Sequence, residues 1–206
     1  MDNALFISLV GFAFIAAGTP GPNNLLLMSS GALFGWRQTL PHLGGILLGF
    51  AVVMASAVFG LGTLVEKWPV LLTFVRVIGA TWLAWMSIRF FKAAMSADLA
   101  NSRVEEAPIS RPFRFFEAVL FQWVNPKAII ASLSSAGAYI SIAELAWQRA
   151  IIIVGVFFVA GLVACSSWML AGSALNRYLS TGRSAPLINA GMGLLILATA
   201  IFILMG

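Results

Sequence analysis

Charge is what this chain has least of. Only 9% of its 206 residues are Asp, Glu, Lys or Arg, where a soluble domain carries roughly a quarter. With 61% hydrophobic residues and a mean hydropathy of +0.98, there is not enough polar side chain to cover a water-facing surface. The bilayer is the natural solvent. The seven acids are Asp2, Glu66, Asp98, Glu105, Glu106, Glu117 and Glu144, and all fall at the ends of apolar runs or between them. A deep carboxylate pair is therefore excluded, and so is a buried acid for the distal charge of a dibasic ligand. The single cysteine, Cys165, excludes an internal disulfide and reads as a small buried hydrophobe. One histidine and one cysteine provide no metal cluster, and no cofactor motif is present. Met1-Asp2-Asn3 lacks the basic start of a secretory signal, so the first apolar run is expected to stay as a membrane span. The net charge of +5 comes from basic residues between apolar runs, a topology signal with no bearing on nucleic acid.

What the chain does have is six apolar segments, at about 4–34, 42–64, 69–91, 113–142, 148–175 and 185–205. Crossing a bilayer takes about 20 helical residues. A straight first segment of about 30 residues would reach roughly 45 Å, so a break at Gly18–Pro22 is expected. The fourth segment is also long, and it carries Pro126. The fold class expected is all-α: a polytopic membrane protein with six spans, the first and fourth broken at proline. Arg37, Arg89, Lys92, Arg103, Arg111, Arg114, Arg177 and Arg183 flank the first, third and fifth loops; Lys67, Arg149 and Arg76 lie on the other side. The positive-inside rule then puts the odd loops in the cytoplasm and both termini opposite, on the periplasmic or extracellular side. The polar stretch 96–112 divides residues 1–95 from 113–206. Three spans on each side make the halves inverted repeats of one membrane domain. Ser29-Ser30-Gly31 after Pro22 and Ser134-Ser135-Ala136-Gly137 after Pro126 echo one another. Glycines at 44, 45, 49, 79, 155, 161, 191 and 193 suit close helix packing, and such faces suit a homodimer.

The two breaks carry the candidate chemistry. Thr19-Pro20-Gly21-Pro22-Asn23-Asn24 and Asn125-Pro126-Lys127 both place a proline at a helix start, where its missing donor costs nothing. Thr19 and Asn125 are the expected caps. Helix-start amides bind carboxylates. A mid-membrane lysine costs about 2.5–3.5 kcal/mol on insertion scales and marks a functional position; the other reading is a lysine that snorkels to an interface. Gly21, Pro22, Asn23, Asn24, Gln122, Asn125, Pro126 and Lys127 are therefore the candidate binding residues for a small carboxylate-bearing molecule. Trp123 is a further contact candidate. His42, at the start of the second segment, and Glu117, at the start of the fourth, are candidates for proton coupling; an interfacial polar role is the alternative for His42.

At these two motifs the chain resembles the lysine exporter superfamily, the LysE/RhtB-type amino-acid exporters. The resemblance extends over the size, the six spans and the basic central loop. It implies export of amino acids or derivatives across a bacterial inner membrane, driven by proton antiport. Pro-Gly-Pro-Asn-Asn followed by Arg37, Leu40-Pro41-His42 and a glycine-rich second span resembles the branch that exports neutral amino acids, cysteine/O-acetylserine-type exporters included. Ala118 departs from the glycine that many members have there. Two other classes compete with a transporter. A channel or complex subunit would show transport without saturation. An intramembrane enzyme has His42 and serines to draw on, but no Gly-x-Ser-x-Gly motif and no deep acid.

Overall fold

Each residue that precedes a proline at the two breaks is extended: Thr19 (φ −62°, ψ 144°), Gly21 (φ −174°, ψ 175°) and Asn125 (φ −86°, ψ 105°). The proline ring pushes its predecessor out of the helical region, and this decides where the long apolar segments divide. The computed structural model describes residues 2–61, 64, 67–98, 111–179 and 185–205. Most of the 96–112 linker, with Arg103, Glu105 and Glu106, lies outside them, as do Glu66 and Arg183. The described elements are all helical: α1 (Asn3–Gly18), α2 (Pro22–Ser56), α3 (Val70–Asp98), α4 (Phe115–Phe121), α5 (Pro126–Ala138), α6 (Ala146–Leu179) and α7 (Ala185–Met205). A tighter turn, Gln122–Val124, follows α4, and a wider one, Ala57–Leu61, follows α2.

The apolar helix Pro22–Gly60, at 39 residues, would be about 58 Å long if straight, twice the bilayer core. It is not straight. Gly35 sits at φ 78°, ψ 165°, a conformation essentially restricted to glycine, and the chain reverses there. Ser30 and Thr39 share a hydroxyl–hydroxyl hydrogen bond of 2.9 Å across the turn, although nine residues of continuous helix would hold them about 13.5 Å apart. Thr39 Oγ1 also contacts the Gly35 carbonyl at 2.9 Å. The first and second apolar segments are thus two arms of one hairpin, and the expected first loop shrinks to a glycine. Val70–Lys92 and Ala146–Leu175 are also long and apolar enough to cross a membrane. Asn3–Gly18 and Phe115–Val124 are shorter; each is continued across a break by the helix that follows.

Three apolar clusters hold the bundle. One joins the first arm of α2 to α3, α4 and α7 through Leu26, Leu83, Phe90, Phe121 and Ile196. Another joins α1 to the second arm and α6 through Leu9, Met54, Ile153 and Phe157. The third sits between both arms, α4 and α6, with Leu27, Ile46, Ala118 and Met169. Backbones approach closely between α2 and α6, where a Cβ on Gly31 would meet the Met169 carbonyl and one on Gly172 the Met28 carbonyl. The expected seam extends less far than its glycines: Gly155 and Gly191 have no neighbour within 4 Å to meet an added Cβ. Ala118 fits its place because Gly45 opposite leaves room for its methyl. Large apolar side chains such as Phe116, Leu120, Leu187 and Phe202 cover the outside, as expected of a lipid-facing surface.

Gly35→Ala should lower the melting temperature of the detergent-purified protein, since a residue forced into that backbone region costs about 1–3 kcal/mol. Gly11→Ala, where an added Cβ meets nothing within 4 Å, should leave it unchanged or slightly raised. Equal melting temperatures for the two variants would contradict the hairpin.

Candidate functional site

A helix that stops inside an apolar bundle leaves its last carbonyls without partners, and each must be satisfied by protein or water. At the end of α1 every one has a donor. The Ile15 carbonyl accepts from the Thr19 amide at 3.0 Å and the Ala16 carbonyl from the Thr19 hydroxyl at 3.1 Å. The Ala17 carbonyl accepts from Asn24 Nδ2 at 2.8 Å, and the Gly18 carbonyl from Trp168 Nε1 at 3.2 Å. The Thr19 carbonyl accepts twice, from Asn24 Nδ2 at 2.9 Å and Lys127 Nζ at 2.6 Å. Lys127 Nζ also donates to Thr19 Oγ1 at 2.9 Å. The lysine does not snorkel. Its ammonium lies against the carbonyl end of α1, where a cation is stabilised by the helix dipole.

A second link joins the breaks. Asn23 Nδ2 donates to Gln122 Oε1 at 2.7 Å, and Gln122 Nε2 donates back to Asn23 Oδ1 at 3.1 Å. Gln122 Nε2 also reaches the Ala118 carbonyl at 3.0 Å. Asn125 caps α5 as expected, its Oδ1 accepting from the Lys127 amide at 3.2 Å. Thr19 does not cap α2. Gly21 holds that position and supplies no side chain, because the extended Pro20-Gly21 step carries the threonine hydroxyl back to α1. The start of α2 therefore has no side-chain cap, and its first amides are left for water or a ligand.

A cavity of about 70 Å³ lies against these groups. Gly21, Asn23, Asn24, Asn125 and Lys127 line its polar end; Ile46, Leu47, Phe50, Met54, Phe157 and Phe158 line the rest. Pro22, Gln122 and Pro126 stand behind this wall, fixing it without lining it. An ammonium has three N–H groups, and Thr19 occupies two of those of Lys127. A Cβ at residue 21 would come within 2.7 Å of Lys127 Cδ, so glycine there makes room for the lysine stem.

Two expectations differ from what is found. His42 is buried within the protein: it lies two turns into the second arm, 1% exposed, its ring stacked on Phe113 at 5.0 Å. Its Nδ1 has no hydrogen-bond partner. Trp123 does not line the cavity and is 38% exposed. Glu117 lies away from the break site, held by Arg111 through bonds of 2.6 and 2.9 Å and by the Arg114 amide at 2.9 Å. Sequence reasoning missed Trp168 as a break partner and Cys165 as a wall residue, its Sγ 3.6 Å from Asn24 Oδ1. Neither has a motif; only the packing of α6 against α1 and α2 brings them in.

Residues 14–206 match the pattern of the LysE type translocators. The chain belongs to that family. A leucine efflux protein of Klebsiella pneumoniae is 29% identical over 194 residues, covering 93% of this chain and 90% of that protein. A cysteine/O-acetylserine efflux protein of Escherichia coli (strain K12) is 28% identical over 186 residues, 86% of this chain and 87% of its own length. No solved structure matches. This LysE-type chain is thus a multi-pass membrane transport protein and not an enzyme. The family pattern covers both breaks.

Asn24→Ala should destabilise the protein by about 1 kcal/mol, because it removes the donor to the part-buried Ala17 carbonyl and to Thr19; thermal melts in detergent measure this. Asn23→Ala and Gln122→Ala should be coupled by about 0.5–3 kcal/mol in a double-mutant cycle. Additive effects would mean that the amide pair does not hold the breaks together.

Proposed function

We propose that this chain is a secondary-active exporter of small neutral amino acids or their derivatives in a bacterial inner membrane, working by proton antiport. The observation that carries this reading is the meeting of the two breaks: Lys127 from one half closes on Thr19 of the other beside an uncapped helix start. The substrate carboxylate binds the first amides of α2 and the remaining N–H of Lys127. Its ammonium is met by the carbonyls and amide oxygens of Asn23, Asn24 and Asn125. Its side chain enters the apolar end of the cavity. The absence of acids from the cavity wall suits a neutral side chain over a basic one. The relatives' names, leucine efflux protein and cysteine/O-acetylserine efflux protein, support the same class.

At about 70 Å³ the cavity has room for roughly two waters. A whole amino acid enters only if the walls separate. Alternating access supplies that separation: the halves 1–95 and 113–206 are inverted three-span repeats that rock about the two breaks. The amide pair between Asn23 and Gln122 and the lysine contact to Thr19 are remade at each turn of the cycle. His42 and Glu117 are the proposed proton carriers, and the basic loops face the cytoplasm with both termini opposite. The apolar outer surface faces lipid, and a second copy of the chain covers part of it in a homodimer.

Purified protein in liposomes should exchange labelled leucine or O-acetylserine across the bilayer, with saturation, and the flux should rise when a pH gradient is imposed. Lys127→Ala with Asn23→Ala should reduce flux at least tenfold while folded protein is still recovered. Undiminished flux in that double variant would remove the proposed roles of both residues.

A further inference from the structure

The apolar end of the cavity between the breaks has a depth that can be measured along α6. Phe157, Gly161 and Cys165 recur every four residues, on one face of that helix, and all three line the cavity. The second arm of α2 passes them in the opposite direction. Leu47 lies across from Gly161, and Phe50 packs on Phe157 with ring centres 5.7 Å apart. Cys165 marks the polar end, since its Sγ is 3.6 Å from Asn24 Oδ1. Phe157 marks the floor, buried in one cluster with Met54 and Ile153. Gly161 stands midway. Four helical residues rise about 6 Å, which puts the floor about 12 Å below Cys165. Among the described residues, a Cβ at position 161 would come within 4 Å of one atom of another helix, Leu47 Cδ2 at 3.3 Å. Gly31 and Gly172 differ, because a Cβ on either would meet a backbone carbonyl. Glycine weakens a helix interior relative to alanine, and close backbone packing does not account for this one. What Gly161 provides is space on the cavity wall.

We infer that Gly161 is a specificity-determining residue: it sets the length of side chain the site accepts, admitting a branched aliphatic chain as long as that of leucine. This rests on the reading above that an amino acid binds between the breaks. The charged groups of the substrate are held at the level of Asn24 and Lys127, beside Cys165. Three C–C bonds carry the methyl groups of a leucine about 4 Å from its Cα. Its branched end therefore lies beside Gly161, against Leu47, and about a turn short of the floor. An alanine side chain ends well above that level. A methyl group at position 161 takes the space of the leucine branch and leaves the space of an alanine untouched. The floor does not yield to compensate, because Phe157 and Met54 belong to the packed core.

The test is exchange of labelled L-leucine and labelled L-alanine by the full chain in liposomes. Gly161→Ala should raise the KM for leucine about tenfold and change that for alanine by less than about twofold. Adding Leu47→Ala, which gives the new methyl room, should return the leucine KM to within about threefold of the wild-type value. Gly155→Ala is the control, since Gly155 lies on the same helix outside the cavity and an added Cβ there meets nothing within 4 Å; it should change neither KM. A leucine KM that Gly161→Ala leaves unchanged would overturn the inference. So would an equal rise for both substrates, or a double variant in which leucine exchange is not restored; each of these leaves the export reading standing. A wild-type protein that exchanges neither amino acid would contradict the export reading itself.

Discussion

Five carbonyl groups at the end of α1 govern how the rest of this protein is arranged. Prolines 20 and 22 stop one helix and start another, and the freed backbone is satisfied by other groups of the chain. Two of the five accept from Thr19 itself; the donors to the other three come from elsewhere in the chain: the side-chain amide of Asn24 at the start of α2, the indole of Trp168 on α6, and the ammonium of Lys127 on α5. Each contact fixes an element relative to α1. The break thus serves as the point on which α2, α5 and α6 are assembled.

This assembly explains the position of Lys127. Expected from sequence to face a ligand, it spends two of its three donors on the backbone of the opposite half. The charge is stabilised by the carbonyl end of a helix, so no buried acid is needed to balance it, and none lines the cavity. A lysine held this way has a fixed place at the end of α1. It also ties residues 127 and 19, from the second and first parts of the chain, together. The Asn23–Gln122 pair adds a second, neutral tie.

The sequence made the breaks legible because proline leaves few choices: the residues before Pro20, Pro22 and Pro126 are extended and the helices restart after Pro22 and Pro126. Asn125 was readable as a cap for the same reason. Thr19 was not, because its hydroxyl could either accept from an amide at the start of α2 or donate to a carbonyl of α1, and the choice depended on the Pro20-Gly21 step. A loop after residue 34 was legible, but its length was not: Arg37-Gln38-Thr39 reads as loop, whereas it begins the second arm and Gly35 alone makes the turn. His42 was placed at the end of a segment only because the turn was assumed to be longer. Trp168 and Cys165 gave no local signal at all, since their importance comes from the register of α6 against α1.

The claim that orders all of this is that the breaks at 19–21 and 122–125, a hundred residues apart, touch. The direct test is cross-linking in a Cys165→Ser background with Asn23→Cys and Gln122→Cys together, in native-like membranes without substrate. Contact predicts that a short bifunctional thiol reagent joins the two within one chain in high yield, and that neither single-cysteine variant gives this product. Two cysteines that each react with maleimide yet never cross-link would place the breaks apart and contradict the account.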